Sequence, residues 1–343
     1  MIRKLYEKPE KPFLQGGRIV NTLGNKLRVT LFGQSHAPFV GVSIEGLPVG
    51  MRVDEKAVTA FLSRRKSTGT GAQTPRTEAD EPRVLCGIRD GVVCGDTVTV
   101  IFENASADSS AYDAALPRPG HADFAALMKY GKGFDLRGGG PFSGRLTLPL
   151  CYAGALALQI LNEKGVTVES RILSVAGETD ESRFDEVMMS AREAGDSVGG
   201  KILLTVHGVP AGLGDPPFGG MENRLSTALF AIPAVKEIAF GDTKDLGSEN
   251  NDPYGIRDGK AVPLTNHAGG ILGGITTGAD LAVTLRVKPV PSIAKPQQTV
   301  NMAQMREETL TVRGRHDACI LPRALPCAEA AAALVICDML MGG

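Results

Sequence analysis

Residues 118–145 read RPGHADFAALMKYGKGFDLRGGGPFSGR, and this stretch concentrates the chemistry of the chain. It contains three arginines, two lysines and one histidine, together with a glycine run at 138–140. Guanidinium groups bind phosphates and carboxylates through paired hydrogen bonds, and glycines let backbone N–H groups approach a ligand closely. A histidine among them can transfer a proton near neutral pH. The stretch therefore predicts an anion-binding site, although a glycine run on its own is more typical of a flexible turn.

The composition of the remaining chain is that of an ordinary globular protein. Its 343 residues are 43% hydrophobic and 22% charged, with a net charge of -1. The near-neutral balance gives no indication of a nucleic-acid or membrane partner, so any anion binding must be local. Six cysteines without a Cys-x-x-Cys pair predict neither a disulfide framework nor a metal site. They fit a reducing cytoplasm.

Residues 1–20 are predicted to form a peripheral extension at the N-terminus. They alternate charge with proline and lack the hydrophobic region of a signal peptide. No uninterrupted apolar run elsewhere reaches the 18 or so residues of a membrane span. We therefore expect one catalytic domain over residues 21–343 and a cytoplasmic location.

Two early elements deliver reactive side chains. Residues 27–32 predict a strand that stops at Gly33, so that His36 lies just beyond a strand end. A lone histidine is more often structural, but strand ends are common places for chemistry. Asp54 predicts the cap of a helix that carries Arg64 and Arg65 at its C-terminal end. Basic residues there also fit plain complementarity to the helix dipole. The polar loop after it, residues 67–77, is long enough to be functional or mobile.

Further strands and helices alternate without a regular βαβ series. Strands are predicted over residues 98–102, 201–206 and 281–287. Helices are predicted from Pro149 to just before Gly165, around residues 225–232 and from near Pro326 to about Leu340. Neither a dinucleotide fingerprint nor a Walker loop is present. This mixture predicts an α+β fold in a single large domain.

A second polar, glycine-rich region covers residues 247–278, where glycines could serve turns as well as ligands. The strand that follows ends at Lys288, and Ser292 comes four residues later. A lysine and a serine at a strand exit can hold a phosphate.

Taken together and in this order, nine motifs resemble the chorismate synthase family. The resemblance extends from about Asn21 to Asp338, and a match in register over nearly the whole chain is specific where each motif alone is modest. The matching segments are Gly33-x-Ser35-His36, Arg64-Arg65, Arg118-Pro-Gly-His121-Ala-Asp123, Lys129-Tyr-Gly131, Arg137-Gly-Gly-Gly140, Val209-Pro-Ala-Gly-Leu-Gly214 with Ala234-Val-Lys236, Asn266-His-Ala-Gly-Gly-Ile-Leu-Gly-Gly274, Lys288-Pro289 and Gly314-Arg-His-Asp317.

The resemblance implies a homotetramer in which each chain forms a β-α-β sandwich of antiparallel sheets and helices. It implies a carbon–oxygen lyase that converts 5-enolpyruvylshikimate 3-phosphate into chorismate and phosphate by a 1,4-anti elimination, within aromatic amino acid biosynthesis. The family requires reduced FMN although no net redox change occurs. NADPH is a possible flavin reductant in the family, whereas the missing dinucleotide fingerprint favours an external source of reduced FMN.

The same resemblance assigns roles to individual residues. The substrate carries a phosphate and two carboxylates, so several cations must converge on it. The catalytic residues implied are His36 beside the flavin, His121 beside the departing phosphate and Asp317 near flavin N5. The substrate ligands implied are Ser35, Arg65, Arg118 and Arg145. The cofactor contacts implied are Ser143, Ala234, Gly273, Lys288, Pro289, Val290, Pro291, Ser292 and Arg315.

The chain also departs from the family pattern. Gln34 and Ala37 replace a glutamate and a glycine beside His36, and Pro141, Phe142 and Leu146 interrupt a segment that usually carries one more cation and one more carboxylate. These changes leave two alternatives open, a flavin-dependent lyase for another anionic substrate and a non-catalytic flavin- or phosphate-binding homologue. Retention of both histidines counts against the second.

Overall fold

The computed structural model describes residues 19–67, 79–104, 115–131, 133–312 and 316–342. Most of the expected N-terminal extension and of the loop at 67–77 lies outside these ranges, as does Arg315. Within them the chain forms two principal antiparallel sheets with helices between them.

The strands, in chain order, are β1 Thr22–Leu23, β2 Arg28–Gly33, β3 Phe39–Glu45, β4 Arg83–Cys86, β5 Ile88–Arg89, β6 Val92–Val93, β7 Thr97–Glu103, β8 Thr167–Val175, β9 Gly200–His207, β10 Val235–Phe240, β11 Tyr254–Arg257, β12 Lys260–Pro263, β13 Ile271–Leu272, β14 Ile275–Thr276, β15 Leu281–Val287, β16 Gln297–Asn301 and β17 Arg306–Leu310.

The helices, in chain order, are α1 Glu55–Arg65, α2 Asp123–Tyr130, α3 Thr147–Glu163, α4 Phe184–Glu193, α5 Met221–Phe230, α6 Gly247–Asn250 and α7 Leu321–Gly342. Three short 3-10 turns lie at Arg137–Phe142, Gly144–Leu146 and Glu181–Arg183.

The first sheet has the strand order β1-β2-β3-β7-β4. Alternate residues of β3 and β7 face the core, because successive side chains of a strand point to opposite faces. Val40 pairs with Phe102 and Val42 pairs with Val100, and all four side chains are buried. This pairing fixes the register, since a slip of one residue would turn the apolar face to solvent.

The second sheet has the order β10-β15-β9-β8. Its central strands β9 and β15 place Leu204 opposite Val283 and Val206 opposite Leu281, again with all four side chains buried. Each principal sheet therefore has one apolar face directed into the protein.

Helices α3 and α7 fill the layer between these faces. Helix α3 packs on β2, β3 and β7, whereas α7 packs on β8 and β9, and the two helices pack on each other. Their close approach needs Gly154, because a Cβ atom there would lie 2.3 Å from the Cβ atom of Ala330. The expected β-α-β sandwich is confirmed.

Two of these helices also satisfy a length and hydropathy criterion for a membrane span. They cover Gly144–Glu163 and Leu321–Gly342, with mean hydropathies of 1.3 and 1.7, although neither contains the uninterrupted apolar run that we sought in the sequence. Their apolar windows are 72% and 83% buried inside the protein. Burial between two sheets accounts for this hydropathy.

The helix boundaries differ from the sequence expectation at the prolines. Helix α3 begins at Thr147, two residues before Pro149, and α7 begins at Leu321, five residues before Pro326. A proline is tolerated in the first turn because the N–H groups there have no intrahelical acceptor. Pro149 and Pro322 occupy such positions. Helix α5 ends at Phe230, before Ile232 and Pro233.

A buried carboxylate joins the first strands to the last helix. Asp338 in α7 accepts hydrogen bonds from the backbone N–H groups of Asn25, Lys26 and Leu27 at 2.9, 2.6 and 2.8 Å. Its other oxygen pairs with Arg224 of α5. Because a buried carboxylate is costly unless it is hydrogen-bonded, these partners hold both ends of the described chain together.

Candidate active site

One cleft of about 610 Å³ collects side chains from most of the predicted motifs. Its size lies in the range of small-molecule sites. Its walls come from the β2–β3 turn, the end of α1, the segments at 118–122 and 138–147, the residues after α5, the exit of β15 and the start of α7. The site residues predicted from sequence that line it are Ser35, His36, Arg65, Arg118, His121, Ser143, Arg145, Ala234, Lys288, Val290, Pro291, Ser292 and Asp317.

The glycine run lies against both histidines. Gly138, Gly139 and Gly140 all have positive φ, at 60°, 89° and 51°. A Cβ atom at Gly138 would lie 2.4 Å from the ring of His36, and one at Gly139 would lie 3.1 Å from the ring of His121. Only residues without a Cβ allow this backbone to pass so closely, which explains the three consecutive glycines.

A buried carboxylate bridges two arginines at one end of the cleft. Asp80 pairs with Arg65 at 3.4 Å and with Arg145 at shorter range. Arg65 also donates to Thr147 and to the carbonyl of Gly144, both at 2.9 Å. Burial, followed by the charge of Arg323, lowers the pKa of Arg65. The cost of holding this cation away from water favours an anionic ligand in the cleft.

Asn104 connects Arg145 to the turn that carries His36. Its side-chain oxygen accepts from Nε of Arg145 at 2.8 Å. Its side-chain nitrogen donates to the carbonyls of Gln34 and Ala37 at 3.1 and 2.7 Å. A single amide therefore fixes the guanidinium relative to the histidine loop.

Arg118, His121 and Asp123 form a second charged cluster. Arg118 donates to both carboxylate oxygens of Asp123, from Nε at 2.7 Å and from a terminal nitrogen at 2.9 Å. The Nδ1 atom of His121 lies 2.6 Å from Asp123. Burial alone would raise the pKa of Asp123, but hydrogen bonds from Arg118 and His121 hold it well below its ordinary value. The carboxylate is therefore charged and orients both partners.

A third pair lies at the start of α7. Arg323 donates to Asp317 at 2.6 Å and, through Nε, to the backbone carbonyl of Arg65 at 3.0 Å. Both side chains line the cleft. Arg323 therefore connects Asp317, for which an acid–base role is predicted, to Arg65 at the end of α1.

The opposite wall is largely apolar. It is formed by residues 230–234 after α5 and by Val290 and Pro291 after β15. Lys288 at the edge of this wall donates to the carbonyl of Gly120, and burial followed by the charge of Lys236 lowers its pKa. The buried Ser292 closes the segment. A flat apolar ring system with a charged substituent fits such a wall.

Two predicted cofactor residues are not part of the lining that the described residues form. Pro289 lies between Lys288 and Val290, but its side chain does not reach the cleft. Gly273 lies in the β13–β14 turn, where the adjacent Gly274 carbonyl accepts from the N–H of Met221 at the start of α5. The far end of that ten-residue helix lines the cleft, about 15 Å away. Arg315 lies outside the described residues.

Sequence reasoning missed several residues that build the site, namely Asp80, Asn104, Thr147 and Arg323. Asp123 was quoted within a motif without a role. The one available signal was the His-x-Asp spacing at 121–123, which brings a carboxylate to the imidazole. No sequence signal pointed to Asp80 or Asn104, because each contacts Arg145 across a long stretch of sequence.

The cleft as a whole is cationic. Six lysine or arginine side chains line it against two aspartates, the cations being Arg65, Lys66, Arg118, Arg145, Lys288 and Arg323 and the acids Asp80 and Asp317. His36 and His121 lie among them. Such a site can bind a multiply charged anion and place an imidazole beside it. Within the ranges that the structure covers, no group of three or more His, Cys, Asp or Glu side chains could hold a metal ion.

Comparison with known proteins gives a consistent result. The sequence pattern of the family described as chorismate synthase matches residues 27–341. The chorismate synthase of Lancefieldella parvula is 41% identical, with 94% of this chain and 96% of the relative aligned. The chorismate synthase of Thermococcus kodakarensis is 44% identical, covering 93% of this chain and 97% of the relative.

A solved structure supports the fold independently. A crystal structure of chorismate synthase superimposes with a TM-score of 0.70 over 93% of both chains, at 22% sequence identity. At that identity the match speaks for the fold.

Proposed function

The chain belongs to the chorismate synthase family, and we propose that its cationic cleft is where it eliminates phosphate from 5-enolpyruvylshikimate 3-phosphate to give chorismate. The enzyme is a carbon–oxygen lyase of the shikimate pathway, which supplies aromatic amino acids. In the elimination the C3–O bond to phosphate breaks and a C6 hydrogen leaves from the opposite face.

The excess of cations in the cleft is the observation that supports this proposal. Six lysine or arginine side chains face two aspartates there, and the substrate brings a phosphate and two carboxylates. We assign Arg65, Arg118 and Arg145 to these anionic groups. Each guanidinium is oriented by a carboxylate, Asp80 or Asp123, so that little side-chain entropy is lost when the substrate binds. Ser35, buried beside them, offers a hydroxyl.

His121 is the proposed partner of the departing phosphate. Asp123 engages its Nδ1 atom at 2.6 Å, and Arg118 brings a positive charge to the same place. The imidazole can then present Nε2–H to the phosphate oxygen that gains charge as the C–O bond breaks. Asp123 is thus a positioning residue and His121 a catalytic one.

The cleft also fits a reduced flavin, which the family requires. Residues 230–234 with Val290 and Pro291 would hold the ring system, while Ser143, Lys288 and Ser292 would contact its polar substituents. When bound, reduced FMN would supply electron density that helps to expel phosphate. His36 and Asp317 would hold protons near the flavin ring, Asp317 being oriented by Arg323. We assign no NADPH site and favour an external source of reduced FMN.

We further propose that the enzyme works in the cytoplasm as a homotetramer, in line with its family. Tyr254 and Ile256 lie on one face of β11 and are 66% and 74% accessible, so this exposed apolar face is a candidate subunit contact. Light scattering after size exclusion tests the assembly, and a monomer at working concentration would refute it.

An anaerobic assay tests the activity directly. Purified protein is mixed with dithionite-reduced FMN and 5-enolpyruvylshikimate 3-phosphate, and chorismate absorbance is followed together with phosphate release. Equal amounts of both products are expected. Flavin binding without either product would refute the proposal, and phosphate without chorismate would indicate a different elimination. In the His121→Ala variant the rate should fall by about 10² to 10⁴, the usual contribution of general acid catalysis, with flavin binding retained.

A further inference from the structure

Two cysteines lie close together at the floor of the cleft, near Arg65 and Arg323. The sulfur atoms of Cys151 in α3 and Cys327 in α7 lie 3.8 Å apart. Both residues are buried, Cys327 at 3% exposure and Cys151 at 0%, and of the two only Cys327 lines the cleft. The established reaction uses neither thiol.

The helix crossing holds this pair in place. Gly154 contacts Ala330, and these residues come three positions after Cys151 and Cys327 in their respective helices, so the two helices run in the same direction at this point. Because Gly154 has no Cβ atom, the backbones of α3 and α7 approach closely there. The two thiols lie about one turn earlier, where the helices are still close together. A disulfide requires the sulfurs to come to about 2.05 Å, and the 3.8 Å separation together with the close helix crossing at Gly154 favours that approach.

The Cys327 thiol donates a hydrogen bond to the backbone carbonyl of Arg323 at 3.2 Å, but its charged neighbours favour the thiolate. The hydrogen bond from Cys151 lowers the pKa of Cys327 to about 7 against the opposing effect of burial, and Arg65, Thr147 and Arg323 act in the same direction. Burial raises the pKa of Cys151 instead. The pair thus combines a thiol of lowered pKa, on a residue that lines the cleft, with a protonated thiol within reach, as in peroxide-reactive cysteine pairs.

Two other buried cysteines provide a contrast. Burial raises the pKa of Cys319 to about 11 and that of Cys337 to about 12. Neither lines the cleft. They are internal references for a thiol that is merely buried, whereas Cys86 and Cys94 are exposed.

We propose that Cys327 and Cys151 form an oxidation site for hydrogen peroxide at the floor of the cleft. The Cys327 thiolate attacks one peroxide oxygen, the O–O bond breaks, and the hydroxide released takes up a proton to give water and a sulfenic acid. The Cys151 thiol then attacks that sulfur, a second water leaves, and a disulfide remains. Two thiols lose two electrons and the peroxide gains them, so the step balances.

Mapping of thiols in the full-length protein tests this proposal. The Cys86→Ser/Cys94→Ser variant, which lacks the two exposed thiols, is treated with a few equivalents of hydrogen peroxide at pH 7.5. Remaining thiols are blocked under denaturing conditions, and the digest is analysed without reduction by mass spectrometry. We expect a 151–327 disulfide that forms at least about tenfold faster than any oxidation of Cys319 or Cys337 and that dithiothreitol reverses.

Single variants separate the two roles. In Cys151→Ser the disulfide cannot form, and dimedone should trap a sulfenic acid on Cys327. In Cys327→Ser the Cys151 thiol should remain unoxidised. Cys337→Ser should behave as the parent, which here is the Cys86→Ser/Cys94→Ser protein. The proposal is overturned if Cys327 reacts no faster than Cys319 and Cys337, or if no 151–327 linkage appears in the parent. The parent measurement alone decides this should a variant fail to fold.

Discussion

The Nδ1 atom of His121 lies 2.6 Å from the Oδ1 atom of Asp123. This contact is local, because only Ala122 separates the two residues at the start of α2. It nevertheless combines orientation with charge, since Arg118 donates to the same carboxylate. If His121 serves the departing phosphate, Asp123 acts on the reaction through it.

Asp123→Asn should therefore slow turnover by about 10²-fold, near the lower end of what general acid catalysis supplies, because the amide cannot stabilise a cationic imidazole. Steady-state chorismate formation with reduced FMN measures this. The matched control is Asp242→Asn, which removes an exposed ion pair with Lys244 and should leave turnover unchanged. In a His121→Ala background, Asp123→Asn should slow turnover by much less than 10²-fold, because only its effect through Arg118 remains, and full additivity would contradict the assignment.

The same carboxylate predicts a pH dependence of stability. Hydrogen bonds from Arg118 and His121 keep the pKa of Asp123 well below its usual range despite its burial. An unfolded aspartate titrates near pH 3.9. The stabilisation by Asp123 is then fully present above about pH 5 and declines as the pH falls through 4 toward the depressed value.

Urea unfolding of the parent and Asp123→Asn between pH 6 and pH 3 measures this stabilisation as a difference. The difference in the free energy of unfolding should shrink toward acid pH, by no more than about 1.4 kcal/mol per pH unit for one proton. A difference that stays constant across this range would show that Asp123 stabilises the fold independently of its charge.

Much of the site could be predicted because its reactive residues lie in short, contiguous segments of the sequence. His36 follows a strand, Arg65 ends a helix that Asp54 caps, and the glycine run is contiguous. Each needs only local structure to be recognised, and the order of the motifs supplied the rest. The structure brings these segments to one cleft.

The supporting contacts could not be predicted, because they are long-range and their residues are unremarkable in sequence. Asp80 reaches Arg145 across 65 positions, and Asn104 reaches it across 41. Helices α3 and α7 were recognised, but the sequence did not indicate that they are buried nearly all round as the central layer. Burial on all sides also blurs the periodicity that would fix their first residues.

The contact between Gly138 and His36 predicts a selective loss of activity. Gly138 has φ 60°, and a Cβ atom there would lie 2.4 Å from the imidazole and 2.7 Å from the hydroxyl of Ser35. Gly138→Ala should displace the ring and lower turnover at least about tenfold, as expected when a reacting group moves by a fraction of an ångström.

Gly50→Ala is the matched control, because Gly50 has φ 91° with nothing within 4 Å of an added Cβ. It introduces the same kind of backbone strain, of about 1–2 kcal/mol, without a clash. The melting temperature should fall in both variants, and at least as far in Gly138→Ala because of the added clash, while turnover falls only in Gly138→Ala. Normal turnover in Gly138→Ala would show that the reaction does not depend on this placement of the His36 ring.

The bridge from Asp80 to Arg65 and Arg145 predicts a stability defect that anions repair. All three side chains are at least nine-tenths buried from solvent, at 4%, 6% and 9% accessibility. Asp80→Asn leaves two guanidinium groups without their shared counter-charge and should lower the free energy of unfolding by about 3 kcal/mol, as when one partner of a buried ion pair is removed. Inorganic phosphate, which can occupy the same cationic end of the cleft, should then raise the melting temperature of the variant by more than that of the parent. Thermal unfolding with increasing phosphate measures this, with chloride at equal ionic strength to separate binding from screening. An equal response of parent and variant would mean that Asp80 does not set the charge balance of the anion site.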